Sequence, residues 1–382
     1  MSDKLEKIKV LQVVSCLDKG GTEAYIMNNL RHINREKFQF DFLVFTDNVD
    51  AYKQEIENLG GRIFIGTEPK VKSIFSFVRS IILCINKNGP YNVVHSHVNN
   101  SNGWVMLATK IAKVRTRISH SHGSPNLQKE NFLRRIYRYI ERTLIKMFST
   151  NKIACSNLAG SYLYGEEYFH KHGKTLRNGI DVEKYMRVDK KKVSELKKSL
   201  GINDEHFVIG NVTRFDAKKN QEFIVDVFNE VQNKNQNSIL ILGGVDGGQL
   251  KYIKEKVEKL GLSDKVRFIG VRDDIEICLN MMDAYIFPSL FEGLGIVALE
   301  AQAANLPVYA SEYVPNECDI GLGLVNFLEL NKGAQYWADL ILKNSHKRTL
   351  DENTTMKTFK LNGYSIERSI HSLMDVYMGG EK

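Results

Sequence analysis

The chain has 382 residues, 43% of them hydrophobic, and a formal net charge of +8. That length exceeds what a single core usually serves, so two domains are expected, and no apolar run approaches the ~20 residues that would span a bilayer. The charge is unevenly placed: residues 1–185 hold 28 Lys and Arg against 17 Asp and Glu, the rest 25 against 28, and between Pro69 and Lys152 fifteen basic residues meet only Glu130 and Glu141. A solvated face is the plain reading of basic excess, but so local a bias favours an anionic surface or ligand. The cysteines, Cys16, Cys84, Cys155, Cys278 and Cys318, are scattered without a C-x-x-C, the pattern of a reducing compartment.

The opening MSDKLEKIKVLQVV lacks a long apolar h-region and reads as a first strand rather than a signal peptide. Buried strands follow at IKVLQVVS (8–15), FDFLVFT (40–46), RIFIG (62–66), YNVVHSH (91–97), TRISHSH (116–122) and KIACS (152–156), with helical patterns between them. The second half repeats the scheme at FVIGNV (207–212), SILILGG (238–244), VRFIG (266–270), AYIFPS (284–289) and LPVYAS (306–311). Strand and helix alternating in this way give a parallel sheet covered on both faces, so the fold class is α/β with two halves. The break is expected near Asn178 to Asp181, giving domains at 1–183 and 184–362 and an amphipathic helix within 363–382.

Ligands of doubly wound sheets bind beyond the carboxyl ends of strands. After the first strand, Gly20 and Gly21 precede a helix; a tight βα turn is the plain alternative, and the G-x-G-x-x-G of a nicotinamide site is missing although Asp41 sits where its ribose carboxylate would be. His95 and His97 share one strand face and His120 and His122 another. A four-histidine metal site is conceivable but no Cys or carboxylate joins them, and the expectation is no metal. In NFLRRIYRYIERTLIKMFS (131–149), Arg134, Arg138, Arg142 and Lys146 recur every four residues beside an apolar side with Leu133, Ile136 and Met147. It reads as a surface helix packed on the sheet, as a basic amphipathic helix resting on anionic lipid, or as both.

In the second half, Arg214 and Lys219, with Lys218 as a neighbour able to replace the latter, follow the first strand in GNVTRFDAKKNQEFI. LILGGVDGGQL brings Gly243, Gly244, Gly247 and Gly248, a phosphate loop or a plain glycine turn, and Arg272 ends the next strand. FPSLFEGLGIVALEAQAANLPVYAS (287–311) places Glu292 and Glu300 eight positions apart around a Gly-rich turn opening a helix. Such a turn suits phosphate, because glycines allow close approach and the first helical turn offers unpaired N–H groups. There is no D-x-D pair to hold a metal.

The segment 287–311, with Arg214 and Lys219 in a G-R-x4-K-like setting, resembles the retaining glycosyltransferases of family 4, specifically so in the second half; RISHSHGS and TRFDAKKN are closest to bacterial capsular and exopolysaccharide transferases. Asn220 departs from the pattern, standing where many members have Gly. The resemblance implies a GT-B fold, two Rossmann-like domains facing a cleft, with the C-terminal helix crossing back to the first domain. It implies Arg214 and Lys219 on the diphosphate in place of a cation, Glu292 on sugar hydroxyls, Glu300 on the ribose, backbone of Gly293, Leu294, Gly295, Ile296 and Val297 on phosphates and sugar, and the base near Arg272. It places Gly20 and Gly21 against donor and acceptor, and His122, with His120 as second choice, near the reacting sugar. No cofactor is expected. The partners implied are a UDP-linked nucleotide-sugar and a saccharide acceptor, lipid-linked, at a cytoplasmic site that includes the inner face of the plasma membrane, with anionic membrane contact through 131–149. The alternatives are a nucleotide-sugar 2-epimerase of the same fold and a non-catalytic nucleotide-sugar or glycan-binding protein; nucleic-acid binding lacks any module signature.

Overall fold

The computed structural model describes residues 6–47, 49–123, 131–344 and 350–379. It divides into two compact units, Met1–Gly179 with Ile366–Lys382, and Ile180–Ser365.

In the first unit, β1 (Ile8–Val13), β2 (Phe38–Val44), β3 (Ile63–Ile65), β4 (Val93–Ser96), β5 (Thr116–Ser121), β6 (Asn151–Ala154) and β7 (Lys174–Thr175) form one sheet in the order β3-β2-β1-β4-β5-β6-β7. Every pair is parallel, with Val10 opposite Phe40 on one side and Val93 on the other. Burial on both faces is what turned these strands into continuous apolar runs. The last helix, Ile366–Met378, completes this unit: Ile366, Ile370, Leu373 and Tyr377 recur at helical spacing and pack with Val10, Tyr25, Phe38 and Phe40. Buried Asp41 is held internally, by Arg62 Nη2 at 2.5 Å and by the Tyr91 hydroxyl at 2.8 Å. It is a structural counter-ion and does not reach a ligand.

The helix Phe132–Phe148 is capped by Asn131, whose side chain accepts from Arg134 N at 2.9 Å. Its apolar side is turned largely outward, with Leu133 74% and Met147 66% exposed, while Glu141 and Ile145 are buried. Glu141 accepts from Gly103 N at 2.7 Å at the start of the helix Asn102–Ile111, and burial pushes its carboxyl up to about 8. Gly103 is required there, since a Cβ would lie 2.6 Å from the Glu141 carbonyl oxygen. Among the described residues no helix is long and apolar enough to cross a membrane.

In the second unit, β8 (Phe207–Val212), β9 (Ser238–Gly243), β10 (Val266–Gly270), β11 (Ala284–Phe287), β12 (Val308–Ser311) and β13 (Val325–Leu328) form a parallel sheet in the order β10-β9-β8-β11-β12-β13. β7 and β13 are strands the apolar pattern did not reveal: one is two residues of polar chain and the other a half-buried edge strand. Each sheet reverses its winding beside its first strand, so the carboxyl ends of β1 and β4, and of β8 and β11, flank topological switch points.

Candidate active site

At the switch point of the second unit the loop after β8 carries Arg214 and, on a single 3-10 turn Ala217–Lys219, Lys219. Asn220 follows in the left-handed conformation, φ 56°, and its amide donates to Pro288 O at 3.2 Å. Left-handed backbone is open to glycine and, next best, to asparagine, so the Asn at this position keeps the turn that a Gly would make. Gln221 fixes the loop further by donating to Arg214 O at 2.8 Å. Lys218 O accepts from Leu290 N at 2.7 Å and ties this loop to the one after β11.

That second loop brings Glu292 to Lys219. The two side chains are ion-paired, with only 17% and 10% of their respective surfaces exposed, and the Lys219 ammonium lies 5.6 Å from the centroid of the Phe287 ring. Gly293 continues the turn, Leu294 is buried, and Gly295 caps the helix Ile296–Ala303 at φ 82°. No other residue fits at Gly295, because a Cβ would also come within 2.9 Å of Phe287. Ile296 and Val297 occupy the first helical turn, where backbone N–H groups have no carbonyl within the helix to bond. Anions are favoured at such an end.

Glu300 lies on the same helix and receives a 2.7 Å hydrogen bond from Tyr185 Oη, on the helix Val182–Met186. Burial raises its carboxyl to about 7, against the pull of Tyr185 and Lys184. Lys184 itself pairs with Glu276 at 2.9 Å. Tyr185 was not singled out from sequence, although it stands four residues after the Asp181 of NGID. Arg272 is committed elsewhere: its planar fork grips Asp274 through contacts of 2.8 and 2.6 Å. That pairing holds the Asp274 carboxyl below its ordinary range.

The glycine loop after β9 has a defined task. Gly244, at φ 132°, would place a Cβ 2.1 Å from Thr213 O, and a Cβ on Gly247 would lie 3.1 Å from Cγ of Arg214. Phe215 N bonds Val245 O at 2.8 Å and Gly247 N bonds Phe215 O at 2.9 Å. These two loops are laced together, Gly244 making room for the Thr213 carbonyl and Gly247 for the stem of Arg214.

In the first unit Gly20 has extended backbone that any residue adopts, and a Cβ on Gly21 would meet nothing within 4 Å. Open space at the carboxyl end of β1 lies beside Gly21, whereas a Cβ on Gly20 would come within 2.5 Å of the Glu23 carboxylate. The four histidines come together as a block, His95 and His97 from the end of β4 and His120 and His122 from the end of β5. Ring centroids are 4.1 Å apart within the first pair and 4.0 Å within the second. His95 Nε2 meets His120 Nδ1 at 3.0 Å and His97 Nδ1 meets His122 Nε2 at 2.9 Å. Burial lowers all four, His122 to about 3, so the rings are neutral near pH 7. Ligand nitrogens of His95, His97 and His120 lie within 4.8 Å of one another. They are aimed at each other in pairs, however, and a metal would have to displace the proton between His95 and His120. The positions of Gln12 and Tyr377 beside this block, at 2.9 Å from His97 and 2.8 Å from His95, carried no signal in the sequence.

Residues 19–184 match the family model described as Glycosyltransferase Family 4, and residues 192–355 the one described as Glycosyl transferases group 1. The chain is 32% identical over 370 residues to the putative glycosyltransferase EpsF of Bacillus subtilis, covering 97% of this chain and 96% of EpsF. It is 27% identical to CapH of Staphylococcus aureus, named a capsular polysaccharide biosynthesis glycosyltransferase, over 97% of this chain and 99% of CapH. Among solved structures, Anabaena HepE in complex with UDP and glucose shares the fold with a TM-score of 0.80 at 18% identity, covering 97% of this chain and 100% of HepE.

Proposed function

Because this chain belongs to glycosyltransferase family 4 and has its GT-B architecture of two Rossmann-like domains, we propose that it transfers a sugar from a UDP-linked donor to an acceptor hydroxyl with retention of configuration. The observation that carries the reading is the meeting of Lys219 with Glu292 beside the N-terminus of the helix Ile296–Ala303. One short stretch thereby offers a cation and helical N–H groups for a diphosphate and a carboxylate for sugar hydroxyls. HepE was solved with UDP and glucose, which supports the same donor class here.

In this reading the diphosphate binds Arg214, Lys219 and the backbone of Gly293 to Val297, while Glu292 accepts from the sugar and Glu300 from the ribose. As the bond from anomeric carbon to diphosphate oxygen breaks, the two cations meet the developing charge. The acceptor hydroxyl attacks from the face the diphosphate leaves, and a diphosphate oxygen takes its proton. No metal and no cofactor take part, since the fixed cations supply the charge, and catalysis reduces to positioning and electrostatics. Arg272 contributes through the backbone at the base, its fork being held by Asp274. Gly20, Gly21 and His122 line the acceptor side.

The acceptor is a lipid-linked saccharide of surface polysaccharide synthesis. The role in CapH's name and the outward apolar and basic side chains of the helix Phe132–Phe148 support this, with the protein working at the cytoplasmic face of an anionic membrane. A panel of nucleotide-sugars, assayed for transfer with lipid-linked acceptors and for acceptor-free conversion, tests the proposal. Conversion of a UDP-sugar without acceptor would identify an epimerase instead, and binding without turnover a sensor.

A further inference from the structure

The histidine block continues into two other side chains, and together they form one hydrogen-bonded unit. Gln12, next to the carboxyl end of β1, faces the His97 ring with Oε1 at 2.9 Å from Nε2, and its Nε2 lies 3.0 Å from Tyr377 Oη on the C-terminal helix. Tyr377 Oη in turn lies 2.8 Å from His95 Nδ1.

An amide oxygen only accepts, so the His97 proton is on Nε2. A neutral imidazole has one N–H, which leaves His97 Nδ1 as a lone pair. The proton in the 2.9 Å contact between His97 Nδ1 and His122 Nε2 therefore belongs to His122. Its Nδ1 is then an acceptor. Along the other branch, Gln12 donates to Tyr377, Tyr377 to His95 Nδ1, and His95 Nε2 to His120 Nδ1 at 3.0 Å. That branch ends on His120 Nε2, buried with no partner among the described residues. Turning the Gln12 amide over would invert every tautomer in the block at once, because each contact holds a single proton and each neutral ring carries a single N–H.

We infer that Gln12 and Tyr377 are positioning residues that act through His97 to hold His122 as the Nε2–H tautomer, presenting Nδ1 to a substrate hydroxyl. This rests on the reading of His122 as a residue of the acceptor side. It also fixes the chemistry of the group met there. A lone pair takes a hydrogen bond from a sugar hydroxyl and repels a phosphate oxygen, and burial that keeps the ring neutral removes the alternative of an imidazolium meeting phosphate. The C-terminal helix thus sets a proton position at the end of β5 as well as packing on the unit.

Two-bond nitrogen–proton spectra of the full chain labelled with 15N-imidazole histidine read the tautomers directly, with His122→Gln assigning the signal. The expected result is one neutral Nε2–H form of His122 at pH 7, giving way to a mixture in Gln12→Leu, with turnover lowered on the order of tenfold for one lost hydrogen bond and donor KM unchanged. Tyr377→Phe removes a single oxygen and carries the same test should Gln12→Leu not fold. A His122 found as Nδ1–H or imidazolium, or a tautomer that neither variant alters, overturns the inference while leaving the site reading intact. Undiminished transfer by His122→Ala would remove His122 from the site, and with it the substrate-facing half of the inference, even with the tautomer pattern as described.

Discussion

Lys219 and Glu292, 73 residues apart in sequence, hold one another as an ion pair across the loops that follow β8 and β11. A diphosphate that recruits Lys219 must share it with Glu292, so the pair sets the position of the ammonium before it meets a developing charge. Lys219→Met should lower transfer by roughly 10²–10³-fold, and Lys219→Arg should recover part of it. Calorimetry with UDP separates binding from chemistry: the methionine variant should also bind UDP more weakly. Unchanged turnover in both Lys219→Met and Arg214→Ala would move the diphosphate elsewhere.

With Glu300 on the ribose, as proposed, donor binding should depend on pH. The Glu300 carboxyl is raised from the ordinary 4.5 to about 7 by burial, and only the ionised form accepts from both hydroxyls of a ribose. UDP affinity should therefore rise between pH 6 and 8 and be flat in Glu300→Gln. Tyr185→Phe removes a hydrogen bond that favours the charged form, which should push the profile to higher pH. The stability effect has the opposite sign. With the folded value above the unfolded one, the contribution of Glu300 is fully present below pH 4.5 and lost as pH rises through 7. Melting of wild type against Glu300→Gln at pH 5 and pH 8, without ligand, should show wild type falling behind at pH 8.

Asn220 should accept glycine and little else. At φ 56° a Cβ costs ~1–2 kcal/mol in most residues, and Asn220→Val would in addition lose the bond to Pro288 O. Asn220→Gly also gives up that bond but adopts the left-handed backbone without strain, and is expected to keep activity within about twofold. The valine variant should lose stability and transfer together, measured by denaturant titration and initial rates.

For the membrane reading, Arg134 and Arg138 are the residues to reverse. Arg142 is unsuitable because its guanidinium donates to Leu163 O at 3.1 Å and Tyr162 O at 2.6 Å. Reversing the other two should reduce sedimentation with phosphatidylglycerol vesicles at least tenfold, at ~1 kcal/mol per basic residue near the surface. Wild type that stays in solution with these vesicles at low salt would end this part of the proposal.

Eleven of the strands were visible in the sequence because parallel strands buried on both faces are uninterrupted apolar runs. β7 and β13 bury too little to leave that trace. At the site, residue types and their placement at strand ends marked Arg214, Lys219, Glu292 and Glu300, but not who pairs with whom. Arg272 illustrates the limit: Asp274 is visible two residues on, yet nothing in the order of residues says that the guanidinium turns back to it. The glycines after β9 read equally as turn or loop until Gly244 and Gly247 are seen against Thr213 and Arg214. The histidine periodicity was legible, whereas the proton positions depend on Gln12 and Tyr377, which lie 365 residues apart.

The helix Ile366–Met378 supplies part of the first unit's core but is synthesised after the whole second unit. On a translating ribosome the second unit has all of its strands before the first has its last helix. Until then the nascent first unit bears an open apolar seam around Phe38, Phe40 and Tyr25, which Ile370, Leu373 and Tyr377 later close. Maturation thus runs against the direction of synthesis, and a stall or nick beyond Ser365 would leave the earlier-made unit, not the later one, exposed to chaperones and proteases.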